Sequence, residues 1–398
     1  MNKIMNCNIC GGKIKDKYEV KFKDIIGVTR EYTQCISICS ECGFIFTKNP
    51  LDEETLNDEY KENAQYEFDS DNCLDENRDD YKLRCARQKS FLERNIERET
   101  FKSILEVGAA SGYNLSLYKS YEVLGIEPSR RNCINAEKKY QVNMFCGTFD
   151  EFCKAENEKK VFDLIFLSHV LEHIVNPYEF IKECEKINSK YIFIEVPTFD
   201  YKFIDEPYAM FNDQHVNIFT LESLQNIMNR CGYSLLEAEM FMGRQHQIPA
   251  GYPAISTIWE KSQFIEKHIP LHSSEEQLDA YLEISEKQMI RINSIIDDIP
   301  EDMRIAVWGI GRHASMLLAN SKLGEKNIVA AYDSDKSKQN KKFNGINIQS
   351  FDEKDIINHK IEAVIITTYA ARRIIEKILD TYRQDIQIID LYDNENLC

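Results

Sequence analysis

The residues best placed to do chemistry fall in three clusters, and the first lies at the N-terminus. Cys7-Asn8-Ile9-Cys10 and Cys39-Ser40-Glu41-Cys42 are two Cys-x-x-Cys pairs, each followed by glycine. Two intervening residues let both sulfurs of one turn reach a single tetrahedral ion, so Cys7, Cys10, Cys39 and Cys42 predict a four-thiolate zinc site. Thiolates then fill every coordination position, which makes the ion structural. A segment this short has little core of its own and would draw its folding energy from the metal. Cys35, nearby in sequence, is expected to pack.

The second cluster begins at Ile104-Leu105-Glu106-Val107-Gly108-Ala109-Ala110-Ser111-Gly112. This reads as a strand running into a glycine-bearing turn, where the backbone must turn tightly and approach a ligand closely. Glu127 ends the next apolar run, where a carboxylate can accept both ribose hydroxyls of an adenosine-type ligand. A dinucleotide is the competing ligand. Its usual turn is Gly-x-Gly-x-x-Gly, which packs a pyrophosphate on helix N-terminal amides. Here Ala109 and Ala110 occupy the middle of the turn, and the charge of Glu106 would face the pyrophosphate. A carboxylate at that point suits a ligand carrying an amino group and a sulfonium. The third cluster is histidine: His169 and His173 follow the run Phe162 to Leu167, and His215 lies in a polar, aromatic stretch from Glu206 to Thr220. Imidazole titrates near neutrality, so His215 is the candidate general base, with a structural histidine as the alternative.

These clusters need a scaffold. Strand-length apolar runs at Ser103 to Val107, Glu122 to Ile126, Phe162 to Leu167 and Tyr191 to Val196 alternate with helical stretches, the signature of βαβ units and a mainly parallel sheet. The pattern returns at Arg304 to Gly309, Ile328 to Tyr332 and Ala363 to Thr367, after a polar helix from Ser273 to Ile299 that Pro300 ends. The expected fold class is therefore α/β, with a central Rossmann-like domain, an N-terminal zinc module and a second Rossmann-like domain at the C-terminus. The boundaries read as a zinc module at 1–50, a helical segment covering the active site at 51–100, the central domain at 101–260, a linker helix at 261–300 and the last domain at 301–398.

Composition narrows the partners. The chain has 66 acidic and 49 basic residues and a formal net charge of -17. A nucleic-acid substrate is disfavoured, because a polyanion would meet a net anion with no basic footprint. No apolar stretch is long enough to span a bilayer and the N-terminus lacks the apolar region of a signal peptide, which reads as a cytoplasmic protein without a membrane partner. Thirteen cysteines in a reducing compartment fit metal ligands or small hydrophobes better than disulfides. The oligomeric state stays open.

With Glu-x-Gly-x-x-x-Gly, Glu127, Gly147-Thr148-Phe149 and Phe162-Asp163-Leu164-Ile165 followed by Ser168-His169-Val170-Leu171-Glu172-His173, the stretch 101–240 resembles the class I S-adenosylmethionine-dependent methyltransferases. The resemblance implies that Gly108 and Gly112 shape the loop under the methionine moiety and that Glu127 holds the ribose. Thr148 and Phe149 then lie beside the adenine, Ser168 and His169 border the donor pocket, and His173, at the edge of the acceptor pocket, is a catalytic candidate beside His215. Methyl transfer needs mainly alignment of the acceptor, since the sulfonium methyl is already activated.

The whole layout looks like the zinc-containing nucleotide-sugar C-methyltransferases, which implies a nucleotide-linked sugar substrate in surface polysaccharide or deoxysugar biosynthesis. In that family a Tyr-His-Glu-His-like run serves the proton transfers. The matching residues here are Asn212, Asp213, Gln214 and His215, so only the last histidine is kept. Losing the tyrosine and the glutamate removes an acid and a carboxylate that would tune the base, which sets O- or N-methylation of a sugar hydroxyl or amine beside deprotonation of a sugar carbon as an alternative. Tyr208, Asn212 and Gln214 are the substrate-binding candidates on this segment. In the last domain Ile305 to Ala314 is a second strand, glycine turn and helix start, Asp333 follows the next strand, and Arg312 is placed to meet a phosphate. A degenerate pocket with a purely structural role is the alternative there. For the whole chain the alternatives are a methyltransferase of another small molecule, a nicotinamide oxidoreductase and a non-catalytic binding protein.

Overall fold

Every one of the seven apolar runs expected as strands forms one in the computed structural model, with ends displaced by no more than two residues. The described residues are 4–23, 31–51, 79–97, 100–155, 161–199, 206–241, 253–262, 273–336 and 338–392. Most of the segment 51–100, expected to be helical, lies outside them. Two units divide the chain and interleave along it. The first comprises Met1–Lys17, Ser37–Phe199 and Gln214–Glu276; the second comprises Tyr18–Ile36, Asp200–Asp213 and Gln277–Cys398.

Strand β3 (Ile45–Thr47) lies wholly in the first unit, whereas β1 (Ile14–Phe22) and β2 (Tyr32–Cys39) give it only one end each and otherwise belong to the second. β3 pairs antiparallel with the short β9 (Asn217–Ile218). Helix α1 (Asp79–Asn95) precedes the main sheet, whose strands are β4 (Ser103–Val107), β5 (Glu122–Glu127), β6 (Asn143–Cys146), β7 (Leu164–Ser168), β8 (Tyr191–Pro197), β10 (Tyr233–Phe241) and β11 (Ala254–Lys261). Their order is β10-β11-β8-β7-β4-β5-β6. β4 to β8 run parallel, and the β10–β11 hairpin adds on the β8 edge in antiparallel pairing. Helices α2 (Tyr113–Ser116), α3 (Arg130–Tyr140), α4 (Phe149–Ala155), α5 (Pro177–Lys186) and α6 (Leu221–Arg230) complete the layers.

Strand alternation decides what each face of this sheet holds. Leu105, Val107, Ile165, Leu167, Ile192 and Ile194 build one core layer, and Ile104, Leu164, Phe166 and Phe193 build the other with Phe91 and Leu92 of α1. By the same alternation Glu106, Ser168 and Glu195 lie on the α1 face, at the C-terminal ends of their strands. The chain reverses direction across the sheet between β4 and β7, so the crevice that α/β sheets offer to ligands opens at these ends.

In the second unit β12 (Ile305–Trp308), β13 (Ile328–Tyr332), β14 (Lys342–Phe343), β15 (Ile346–Gln349), β16 (Ala363–Ile366) and β17 (Gln387–Asp390) form a sheet in the order β14-β15-β13-β12-β16-β17, parallel apart from β14. The polar helix α7 (Ser273–Asp297) leads into it from the first unit, and α8 (Arg312–Asn320), α9 (Lys354–Asn358) and α10 (Arg372–Leu379) follow its strands. Its core gathers Ala306, Trp308, Tyr332, Val364, Ile366 and Leu379. The chain's two tryptophans divide between the units: Trp259 is fully buried in the first and donates to Thr257, while Trp308 stacks on Phe351 in the second. Among the described residues no helix is long and apolar enough to cross a membrane.

Candidate donor site, histidine cluster and cysteine cluster

At the end of β4 the chain turns through Gly108 and Gly112, with φ of 71° and 75°, a region that favours glycine. A methyl group would be crowded at either place: an added Cβ lies 3.0 Å from Val170 Cγ2 at Gly108 and 2.8 Å from Ala136 Cβ at Gly112. Two sets of bonds hold the turn against β5. The amides of Gly108 and Ala109 donate to the Ile126 carbonyl at 2.9 and 3.1 Å. Glu127 Oε2 accepts from the Ala110 amide at 2.9 Å, and Oε1 accepts from the Ser129 amide at 3.0 Å. Glu127 thus does more than sequence reasoning assigned to it, since it also fixes the loop. Oε1 also accepts from Asn132 Nδ2 at 3.4 Å, so it is Oε2 that keeps lone-pair capacity for a further donor.

Glu106 sits beneath the turn, 4% exposed. Its Oε1 accepts from Asn114 Nδ2 at 2.9 Å, and Oε2 has no hydrogen-bond partner among the described residues. Burial pushes its carboxyl up to about 8, against the pull of Asn114 and Arg84. Burial likewise raises Glu127, opposed by its backbone amides. A buried acid with an oxygen to spare suits a ligand that brings its own positive charge. S-adenosylmethionine, with an ammonium and a sulfonium, fits that description.

Thr148 and Phe149, expected beside an adenine, have structural duties. Thr148 Oγ1 accepts from the Glu151 amide and caps α4, and Phe149 is buried against Phe180 with ring centroids 4.9 Å apart. Ser168 accepts from Gln88 Nε2 at 2.8 Å.

Beyond β7 the histidines join a buried charge network. His169 Nε2 lies 3.5 Å from Glu195 Oε1, and its Nδ1 lies 3.2 Å from Glu172 Oε1. Arg87 Nη2 donates to Glu195 Oε2 at 2.7 Å, and Gln88 Nε2 donates to Oε1 at 2.7 Å. Burial opposes the charge of both acids. Even so, His169 chiefly, with Arg87, holds Glu195 down at about 2, and His169, His173 and His215 hold Glu172 down at about 2. Burial and Arg84 disfavour the His169 cation, yet Glu172 and Glu195 raise its pKa. His173 and His215 meet edge to face, centroids 4.9 Å apart, and His173 Nδ1 lies 3.1 Å from the Gln214 carbonyl oxygen. Sequence reasoning missed Arg87, Gln88, Glu172 and Glu195. Only Glu195 left a trace, a lone charge inside the otherwise apolar strand β8.

The remaining substrate candidates belong to the second unit, apart from Gln214. Tyr208 stacks on Tyr18 with centroids 4.8 Å apart, and the Asn212 carbonyl accepts from Gln34 Nε2. Arg312, at the start of α8, pairs with the buried Asp213. Asp333 accepts from the Asp335 amide at 2.9 Å and pairs with Lys338 at 3.0 Å.

All four cysteine sulfurs of the N-terminal pairs lie within 4.8 Å of one another. Cys7 Sγ is 3.5 Å from Cys42 Sγ, and Cys10 Sγ is 3.4 Å from Cys39 Sγ. The amides of Ile9, Gly12 and Glu41 point at the sulfurs of Cys7, Cys10 and Cys39. Amides aimed at sulfur stabilise thiolates, and the set fits a tetrahedral zinc ion. Cys35 stands apart, half-buried beside Glu19.

Residues 76–238 match the family described as a methyltransferase domain, and residues 301–389 match the family described as C2185-like, N-terminal. No curated protein matches the chain. Among solved structures, a SAM dependent methyltransferase from Archaeoglobus fulgidus is 19% identical, covering 45% of this chain and 94% of its own, with a TM-score of 0.36. The magnesium protoporphyrin IX methyltransferase of Synechocystis PCC 6803 is 12% identical over 53% of this chain and all of its own, TM-score 0.41. The 1,6-didemethyltoxoflavin-N1-methyltransferase of Burkholderia thailandensis is 11% identical over 57% and 96%, TM-score 0.40.

Proposed function

We propose that this chain, an S-adenosylmethionine-dependent methyltransferase through its domain at residues 76–238, methylates a sugar in nucleotide-linked form. The observation that carries the donor assignment is the pair of buried acids at the β4–β5 turn. Glu127 is tied to the loop amide of Ala110, and Glu106 has an oxygen left over. When bound, the cofactor supplies a methyl group already activated on sulfur. Gly108 and Gly112 let the backbone approach it, Glu127 accepts its ribose hydroxyls, and Glu106 answers its ammonium. The α1 face, sealed by Arg87 and Gln88 on Glu195, keeps water from that side of the crevice.

Support for a sugar acceptor comes from the order of modules in the chain, with a cysteine cluster, a methyltransferase domain and a second doubly wound unit. Asn212 and Gln214 offer neither an acid nor a carboxylate for carbon deprotonation, which favours a hydroxyl or amine as the nucleophile. His215, beside His173, is the proton acceptor in this reading. The cysteine cluster holds structural zinc, and the protein works in the cytoplasm, as its reduced thiols favour. Metal analysis without zinc, or four thiols titrating freely in the folded chain, would remove the zinc assignment.

Calorimetry with S-adenosylmethionine, S-adenosylhomocysteine and NAD tests the donor: binding of the first two and not the third is expected, and the reverse would sink it. Mass spectrometry of ligands carried through purification tests the acceptor. A nucleotide-sugar is the expected passenger, and methyl release with unrelated small molecules but with no sugar would overturn that part alone.

A further inference from the structure

Glu172, His173 and His215 converge in a way that a proton acceptor does not require. Their ligand atoms lie within 4.8 Å of one another, on the turn after β7 and just before β9, inside the first unit. Glu172 is 1% exposed, and neither of its oxygens makes a hydrogen bond with a described residue. A carbonyl oxygen only accepts, so the contact of His173 Nδ1 with the Gln214 carbonyl fixes the ring proton on Nδ1. The lone pair on Nε2 then faces Glu172 Oε1 across 3.9 Å. A cation satisfies both, either a proton on Nε2 or a metal ion, and the second histidine within reach of the same carboxylate adds a further metal-ligating nitrogen.

We propose that Glu172, His173 and His215 bind one divalent transition-metal ion, distinct from the ion of the cysteine cluster. Two imidazoles and one carboxylate suit zinc, cobalt(II) or iron(II) and leave at least one coordination position open. Bond lengths of about 2.0–2.2 Å hold ligand atoms roughly 3–4 Å apart, so the three donors must draw in by about 1 Å on closing. The outer shell is already built: Gln214 orients His173, and His169 Nδ1, 3.2 Å from Glu172 Oε1, orients the carboxylate while its Nε2 faces Glu195. The open position would take an oxygen or nitrogen of the acceptor. That use of the metal rests on the methyltransferase reading above and would take the place of His215 as the proton acceptor, whereas the site itself rests on the three side chains.

The test is a cobalt(II) titration of the full chain whose cysteine cluster has first been filled with zinc, without donor or acceptor. The wild type is expected to take up one further equivalent, with visible d–d absorption and no thiolate-to-cobalt charge-transfer band. His215→Ala and Glu172→Gln should each weaken that uptake at least tenfold. Absence of the visible band in the wild type, or the same band in both variants, overturns the site. Should Glu172→Gln fail to fold, the half-buried His215 carries the comparison, with circular dichroism as the check on folding. Because no methyl chemistry enters the readout, loss of this site leaves the donor assignment standing, and loss of donor binding leaves this site standing.

Discussion

The protein builds the same strand, glycine turn and helix twice, and the two copies differ in how they handle charge. In the first unit the turn at Gly108 is flanked by two buried acids, Glu106 and Glu127, neither of which forms an ion pair among the described residues. In the second unit the corresponding acid, Asp333, is neutralised by Lys338, and the helix that opens after Gly311 begins with Arg312 on Asp213 and a buried His313. One turn buries two acids without counter-ions in a low-dielectric place, which raises both carboxyls; the other has balanced its own. The backbone motif says that a ligand could sit at either turn. The counter-ions say which turn is prepared for a cation.

That contrast is broken most directly by removing the acids. Glu127→Ala deletes the acceptor of two hydroxyls and frees the Ala110 amide, so S-adenosylmethionine affinity should fall by about 3 kcal/mol, roughly 100-fold, in calorimetry. Asp333→Ala should leave that affinity unchanged. Equal losses in the two variants would erase the distinction between the turns.

Next in size is the backbone. Gly112→Ala places a Cβ 2.8 Å from that of Ala136 at a φ of 75°, which should lower stability by roughly 2–4 kcal/mol in denaturant unfolding. Gly311 has extended backbone and nothing within 4 Å of an added Cβ, so Gly311→Ala should stay within about 0.5 kcal/mol.

The subtlest difference is in pH. Glu106 is raised to about 8 in the folded chain, so the native state holds a proton that the unfolded state has released between about 4.5 and 8. Stability of the ligand-free first unit should therefore fall as pH rises through that window. Glu106→Gln should flatten the slope. Burial pushes His313 down to about 3, so between about 3 and 6.5 it is the unfolded state that holds the extra proton. The His313 contribution is complete above 6.5 and is lost as pH falls. Glu106→Gln and His313→Asn should therefore change the pH slope of thermal unfolding in opposite directions; changes of the same sign would show that burial is not what sets these two groups.

Much of this was legible in the sequence because the signals are local. Cysteines two residues apart, glycines at a turn and an acid ending the next strand each act within one or two elements, and strands of continuous apolar residues declare themselves. Glu195, Arg87 and Gln88 were not legible for the opposite reason. They meet across more than a hundred positions, and nothing in the polar pattern of α1 marks which of its side chains will find a buried acid. Thr148 and Phe149 show the limit of spacing from another side. The resemblance puts them beside an adenine, and the structure shows them employed in a helix cap and a ring pair. The interleaving of the units could not be read either, since Tyr18–Ile36 carries no marker of the unit it joins.

Each unit contains a single indole, and the two surroundings differ. Trp259 has no exposed surface and a hydroxyl partner at 2.7 Å, while Trp308 lies flat on a phenyl ring. Intrinsic fluorescence is therefore a ready-made two-channel reporter. Replacing either indole with phenylalanine leaves an emission that follows one half of the molecule alone, so melting of the donor-binding half can be timed separately from that of its neighbour without attaching a dye.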